Sequence, residues 1–301
     1  MYDLIIIGGG PAGLTAMIYA IRKRLNALLV TKDLGGKTQY HLSLPWIEDY
    51  QVIRGIELIN KFRTELEYLK FARHMEAVEL VEKKKDHFTV HTRGGGELNA
   101  KAIIVASGVK LKRLEVPGEK QFIMRGLCYS ALSYAPLLID RKTIVVGDGD
   151  LALRSAAELA TVAQHVHLVG ISEEMLNTPL GKKLCGLKNV TIYKGYQVVE
   201  VKGNAYCERI CIKSPDGEIV EIEADGTFVE MGLIPNSQMV AGLVKLDEYG
   251  RIKVDYMART NIPGIFAAGD VTDGFAEQVL IAVGEGAKAA LSAYEYLLPV
   301  L

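Results

Sequence analysis

The chain has 301 residues, 49% of them hydrophobic, and carries 35 Lys and Arg against 36 Asp and Glu, a formal net charge of −1. That length fits two domains with sizeable cores, and the balanced, interspersed charge excludes the basic footprint of a nucleic-acid binder. No run approaches the ~20 apolar residues that span a bilayer, so no membrane partner is expected. The apolar run at the N-terminus is broken by glycine and has no basic residues before it, so it does not read as a signal peptide. The four cysteines, Cys128, Cys185, Cys207 and Cys211, include no C-x-x-C pair. Cys207 and Cys211 are expected to share one face of a strand as core residues, not as metal ligands. No metal site is expected, and a reduced, cytoplasmic setting is the simplest reading.

Residues 4–7 are an apolar run too short for a helix, which predicts a strand buried on both faces. The run Gly8-x-Gly10-x-x-Gly13 follows at once, and residues 15–20 read as a helix rich in small side chains. In that context each glycine has a task. Gly8 allows the tight turn, Gly10 lets a pyrophosphate approach the backbone, and Gly13 lets the helix pack close to the strand. The helix N-terminus then offers free N–H groups and partial positive charge to the phosphates. Residues 27–30 predict the second strand. Thr31, Lys32 and Asp33 stand where such folds carry an acid for the adenosine ribose, so Thr31 or Asp33 is placed to meet a ribose hydroxyl.

Gly35-Gly36-Lys37 opens a long polar loop through Tyr40, His41, Trp46 and Asp49, and loops of this length are commonly functional. Trp46, the only tryptophan, either stacks on a cofactor ring or anchors the loop; the anchor is favoured. Residues 55–71 have helical spacing. Lys83-Lys84-Lys85 and Gly94-Gly95-Gly96 read as turns between strands, the lysines as a solvated face. Residues 102–106 predict another buried strand, ending in Ser107-Gly108, and Val116-Pro117-Gly118-Glu119 reads as the crossing into a second domain. The opening pattern then recurs: a strand at 143–146, Gly147-Asp148-Gly149-Asp150, a helix through Ala160 and a strand at 165–169. The chain thus holds two nucleotide-type βαβ units as an internal repeat. Later, residues 261–270 form a strand ending in Gly269-Asp270, with a helix from about Gln278 to Leu297.

The whole chain resembles the low-molecular-weight thioredoxin reductase family of two-dinucleotide-fold flavoproteins. The resemblance is carried by Gly8 to Leu14, by Ala106-Ser107-Gly108 with Val116-Pro117-Gly118-Glu119, by Gly147 to Ala152, and by Pro263 to Ala290. It implies an α/β fold of two Rossmann-like, three-layer ββα dinucleotide-binding domains, the second inserted in the first. The FAD-binding domain would span 1–114 and 242–301, with a degenerate NAD(P)-binding-like domain over 115–241. The implied FAD site comprises Gly8, Gly10, Pro11, Ala12, Gly13, Thr31, Gly36, Lys37, Asp49, Ala106, Ser107, Gly108, Gly269, Asp270, Glu277, Gln278 and Val279. In the family an aspartate at the place of Asp270 binds the ribityl chain of FAD, and the helix after Gln278 points its N-terminus at the flavin, where it stabilises negative charge. Where the family usually has an arginine, this chain has Glu277. The family's Glu-Asn-Phe-Pro loop looks like Glu48-Asp49-Tyr50 here.

Two departures bear on function. The family's register puts Ser130 and Ser133 where the redox cysteines would be, and a serine oxygen cannot replace a thiolate in disulfide exchange. Cys128 is out of that register and has no partner at x-x-Cys spacing. Second, NADPH-using members follow their second strand with cations that pair with the 2′-phosphate. Here the segment is Gly170-Ile171-Ser172-Glu173-Glu174-Met175, and Asp148 and Asp150 add negative charge at the glycine turn. Like charges ~4 Å apart repel by about 1 kcal/mol even in bulk water.

The leading expectation is an FAD-dependent oxidoreductase that neither uses its own dithiol nor takes NADPH. Its partner would be ferredoxin or another small redox protein, and the chain would form a homodimer as the family does. The first alternative is an NAD(P)H-dependent ferredoxin or flavin reductase. That group usually extends past its last helix and keeps phosphate-pairing cations, whereas this sequence stops at Leu301. The second alternative is a non-catalytic flavin-binding sensor or scaffold.

Overall fold

The structure, a computed structural model, describes residues 1–50, 55–129 and 134–301, with Asp49 and Tyr50 described in backbone only. The chain divides into two compact units, the first made of residues 1–39, 53–110 and 234–301, the second of residues 40–52 and 111–233. Among the described residues no helix is long and apolar enough to cross a membrane.

The first unit opens with β1 (Tyr2–Ile7), α1 (Pro11–Arg22) and β2 (Ala27–Val30), the expected strand–turn–helix–strand. The hairpin of β3 (Leu42–Leu44) and β4 (Ile47–Tyr50) belongs to the second unit. The first unit resumes with α2 (Ile56–Tyr68), β5 (Arg73–His74), β6 (Val78–Lys83), β7 (Phe88–Thr92) and β8 (Glu97–Val105). Its seven-stranded sheet runs β5-β2-β1-β8-β7-β6. The pairs β1–β2, β1–β8 and β2–β5 are parallel, and β6–β7–β8 is an antiparallel meander. On the edge away from β1, the long β8 serves two partners. Its first half pairs with β7, and its last three residues pair in parallel with β19 (Ile265–Ala267).

The double burial expected of β1 is present. Leu4 and Ile6 face a core shared with α1, α2 and α7 (Val279–Leu297), while Ile5 and Ile7 face a core shared with the meander. Each such fully buried aliphatic side chain contributes roughly 1.5–3 kcal/mol. The result is three layers: helices, parallel sheet, meander.

The second unit repeats this plan. The two crossings run through β9 (Val109–Leu111) and β18 (Leu233–Pro235), which pair as a two-stranded sheet. Between them come α3 (Glu119–Phe122), β10 (Leu127–Cys128), β11 (Lys142–Val146), α4 (Asp150–Leu159), β12 (His165–Val169), α5 (Glu173–Leu176), α6 (Pro179–Cys185) and β13 (Val190–Tyr193). A second meander, β14 (Gln197–Gly203), β15 (Cys207–Lys213) and β16 (Ile219–Glu223), leads into β17 (Gly226–Val229). The parallel sheet runs β10-β17-β11-β12-β13.

Four readings are refined or corrected by this arrangement. The second unit begins at Leu111, so Val116–Glu119 is not the crossing itself. It is a turn inside that unit, closed by the buried Glu119: its carboxylate accepts from the backbone N–H of Leu114 and Glu115 and from the Tyr129 hydroxyl, at 2.7, 2.9 and 2.6 Å. The return crossing lies at residues 233–234, earlier than the expected 242. Trp46 is an anchor, packed on the core of the second unit with the Arg141 guanidinium 4.2 Å over its ring. Lastly, Cys207 and Cys211 do not share a face. In β15, Arg209 pairs with Lys202 and Cys207 with Gly203, so Glu208 is an extra, bulged residue. The bulge shifts the alternation by one. Cys207 therefore joins Ile210 and Ile212 in the core, while the Cys211 thiol points at Glu221, 3.5 Å away.

Candidate functional site

The first glycine turn is built for close approach. A β-carbon on Gly13 would collide with the Gly8 carbonyl oxygen, so α1 can pack against the end of β1 only with glycine there. A β-carbon on Gly10 would meet nothing within 4 Å. Gly10 is the N-cap of α1 and has no side chain to cap it, so the first N–H groups of the helix face an open cradle. Pro11 occupies the first turn, where its missing N–H costs nothing.

Three further segments converge on this turn. Gly269 follows β19 and wedges between two helices. A β-carbon on it would stand 3.0 Å from the Ala12 β-carbon of α1 and 3.6 Å from the Ala282 β-carbon of α7. The first turns of both helices are thereby brought to Asp270. Gln278 caps α7 without a side-chain hydrogen bond, leaving the N–H groups of Val279 and its neighbours available. The Gly35-Gly36-Lys37 loop is tied down by Gly35 N–H donating to Gly9 O at 2.7 Å and Gly36 N–H donating to Asp33 Oδ1 at 3.1 Å. Lys37 Nζ reaches Asp270 Oδ2 at 2.6 Å. After β8, Ala106 lies against Gly8, and the Ser107 hydroxyl donates to Asn236 O at 2.6 Å while the Asn236 amide donates back to Ser107 O at 2.9 Å.

Of the expected FAD residues, all but Asp49 lie in the first unit. Asp49 is on β4 of the second unit, and its side chain is outside the described residues. Thr31 is buried and its hydroxyl donates to Asp33 O at 2.7 Å, so that proton is engaged in shaping the end of β2. Glu277 is paired with Arg251 at 3.3 Å, so a cation does stand near the start of α7, supplied by another segment. Sequence reasoning missed Arg251 and Asn236, along with Glu285, which accepts from Gly269 N–H at 2.7 Å. None carries a local signal, because each acts on a partner far along the chain.

An open glycine cradle at one helix start, a second uncapped helix start, and an acid for hydroxyl groups between them fit a long ligand with a phosphate part and a polyol part. That is the donor set FAD requires. Bound there, FAD would supply hydride and single-electron chemistry through its ring.

The second glycine turn differs. Asp148 Oδ1 accepts from Ser172 N–H at 2.9 Å, tying the turn to the end of β12. Gly170 ends that strand with no side chain for a ribose. Glu230, nearly fully buried, accepts from the Ser155 hydroxyl of α4 at 3.0 Å, beside Gly147. The segment 170–175 has no cation of its own, but Lys194, just beyond β13, pairs with Glu173 at 2.6 Å. Ser130 and Ser133 lie outside the described residues. None of the four cysteines is in a disulfide; Cys128, Cys207 and Cys211 are buried and Cys185 is exposed. Burial raises the thiol pKa of Cys207 to about 11, which opposes thiolate chemistry. Among the described residues no His, Cys, Asp and Glu cluster could hold a metal ion.

A profile of the family described as pyridine nucleotide-disulphide oxidoreductase matches residues 2–286. The solved thioredoxin reductase of Streptococcus pyogenes MGAS5005 is 32% identical, with 99% of each chain covered and a TM-score of 0.86. That of Giardia duodenalis is 27% identical, with 99% of each chain covered and a TM-score of 0.83. Among curated proteins, an NADH dehydrogenase of Bacillus subtilis (strain 168) is 32% identical over 306 residues. The F component of the alkyl hydroperoxide reductase of Escherichia coli (strain K12) is 34% identical over 311 residues. Each match covers 99% of this chain but only 59% and 58% of the relative, so the chain spans under two thirds of their length. Fold, glycine turns and matches agree: the chain belongs to the pyridine nucleotide-disulphide oxidoreductase family, as a thioredoxin reductase-like oxidoreductase whose cofactor is FAD.

Proposed function

We propose that this protein passes electrons through FAD directly to or from a redox partner, without a dithiol of its own and without NADPH. The observation that carries the reading is the absence of any C-x-x-C pair in the sequence, with three of the four cysteines buried. A flavin without a resolving dithiol must exchange electrons with something that reaches it, and ferredoxin or another small redox protein has the one-electron chemistry to do so. The FAD would be held by the Gly8–Gly13 turn, Gly36, Lys37, Ala106 to Gly108, Gly269, Asp270 and the start of α7 from Glu277 to Val279. The acidic residues Asp148 and Asp150 at the second turn, and the latch from Asp148 to Ser172, support exclusion of a 2′-phosphate. The proposal includes a homodimer, which light-scattering mass at micromolar concentration tests; a monomer would count against it.

A second reading has one observation in its favour. The Bacillus subtilis relative is named NADH dehydrogenase, and NADH lacks the 2′-phosphate that the acidic turn opposes. Anaerobic titration separates the readings. The flavin is expected to bleach with reduced ferredoxin and to remain oxidised with NADPH. Rapid stoichiometric bleaching by NADH would transfer the assignment to the second reading. Bleaching by NADPH at micromolar levels would defeat both.

A further inference from the structure

We propose that Lys37 is the charge-compensating residue of the dinucleotide crevice, neutralising Asp270 so that an anionic pyrophosphate can settle on the start of α1. The inference rests on the FAD reading of the first unit and assigns Lys37 a defined task within it.

Asp270 stands in a confined place. Gly269 wedges between the first turns of α1 and α7, so the carboxylate that follows is set at the meeting point of two helix starts. Its side chain is only 14% exposed. Water therefore screens it poorly, and a neighbouring negative charge is felt more strongly than at the surface. FAD brings two phosphate charges to a cradle that opens at Gly10. With Asp270 uncompensated, its charge would add to the two phosphate charges and to that of Glu285, which accepts from Gly269 N–H at 2.7 Å.

Lys37 is positioned to remove one of them. Its Nζ lies 2.6 Å from Asp270 Oδ2, a charge-assisted hydrogen bond. Its backbone sits beside the cradle, since a β-carbon on the preceding Gly36 would come 3.2 Å from the Gly10 Cα. The loop that carries it is held at two points, by Asp33 and by Gly9 O. The side chain thus spans from the phosphate cradle to the carboxylate. Because Lys37 engages Oδ2, Oδ1 remains to accept from a hydroxyl of the ligand. An unbranched apolar side chain here would keep the reach and lose the compensation.

The experiment is a double-mutant cycle read by FAD binding, with no turnover needed. Apoprotein is prepared from the flavin-loaded protein for wild type, Lys37→Met, Lys37→Arg, Asp270→Asn and the Lys37→Met/Asp270→Asn double variant. FAD dissociation constants are measured by flavin fluorescence, with melting temperatures of each apoprotein as a control on folding. Lys37→Met is expected to weaken FAD binding about tenfold or more when Asp270 is intact, and less than about threefold when it is combined with Asp270→Asn, where no charge needs compensating. Lys37→Arg is expected to keep affinity within about threefold, and the Met penalty is expected to shrink as salt rises from about 0.05 to about 0.5 M. Equal penalties in the two backgrounds would overturn the proposal, because Lys37 would then act on the phosphates alone. Wild-type affinity in Lys37→Met would also overturn it while leaving the FAD reading intact. If wild-type protein takes up no FAD, the cofactor reading falls and this inference falls with it.

Discussion

The two glycine turns occupy equivalent places in two copies of one architecture, and they have diverged in charge. At the first, the helix start is open, Asp33 is taken up by Gly36 N–H at 3.1 Å, and Asp270 is matched by Lys37 at 2.6 Å. At the second, Asp148 reaches across to Ser172 N–H, Asp150 opens α4, and Glu230 is buried beside Gly147. Backbone geometry is set by the need to pack a helix against a strand end, which both turns meet. Ligand choice is set by the side chains around the turn, which are free to change once the packing is satisfied. One backbone shape can therefore carry two different charge environments.

The largest effect should come from separating packing from ligand approach within the first turn. Gly13→Ala is expected to cost roughly 3 kcal/mol or more, because its β-carbon meets the Gly8 carbonyl with no flexible atom to yield. Gly10→Ala has open space and a φ of −77°, so the apoprotein should melt within about 2 °C of wild type while FAD retention is lost. Thermal melts with and without added FAD check both. If Gly10→Ala retains FAD, the cradle is not where the pyrophosphate sits.

The same logic can be inverted at the second turn. Asp148→Asn with Asp150→Asn keeps an oxygen to accept from Ser172 N–H and removes two negative charges. If charge is what opposes a pyridine nucleotide, flavin reduction by NADH should quicken by about tenfold, with a smaller gain for NADPH. Unchanged rates in anaerobic stopped-flow would mean that the side chain missing at Gly170, not charge, is the obstacle.

A third test concerns the serines. Changing both Ser130 and Ser133 to cysteine should yield two new thiols per chain after chemical reduction of the flavin, counted by a chromogenic reagent. Failure to form a disulfide would show that the register around Ser130 is wrong. Turnover of a disulfide by wild type would implicate Cys128.

The smallest effect lies away from both glycine turns, in the second unit, at His167 on β12. His167 is packed against the rings of His165 and Tyr193, and Lys142, Glu221 and Glu223 line the same cleft. Burial, and behind it the neighbouring His165 and Lys142, lower its pKa to about 4. The unfolded chain binds this proton near pH 6.5 and the folded chain does not. Stability is therefore full above about pH 6.5 and falls as pH drops toward 4, by on the order of 1 kcal/mol after discounting for partial solvent contact. Urea midpoints at pH 7 and pH 5 should show this slope in wild type and lose it in His167→Gln. A slope unchanged in the variant would assign it to other groups.

Periodicity and glycine spacing made much of the fold legible. The buried β1, the helix at Pro11–Arg22 and the recurrence of the same unit at β11 all follow from local patterns, because a short apolar run and a glycine turn permit few alternatives. The β15 bulge was not legible. One extra residue in a strand leaves the apolar alternation superficially intact, and only the pairing with β14 reveals that Cys207 and Cys211 face opposite ways. The hairpin at residues 42–50 was equally hidden, since nothing local says which of two cores will bury Leu42 and Leu44.

The sequence by itself determined the class of protein: two dinucleotide folds, one inserted in the other, with no cysteine pair spaced for disulfide exchange. Such features are written in neighbouring residues, where local sterics and covalent spacing decide. The tertiary structure alone decided which of the charges around each turn are paired. Lys37 meets Asp270, Arg251 meets Glu277, and Lys194 meets Glu173 only because the fold brings together residues far apart in the chain. Coulomb interactions depend on distance in space, and spacing along a sequence does not record it.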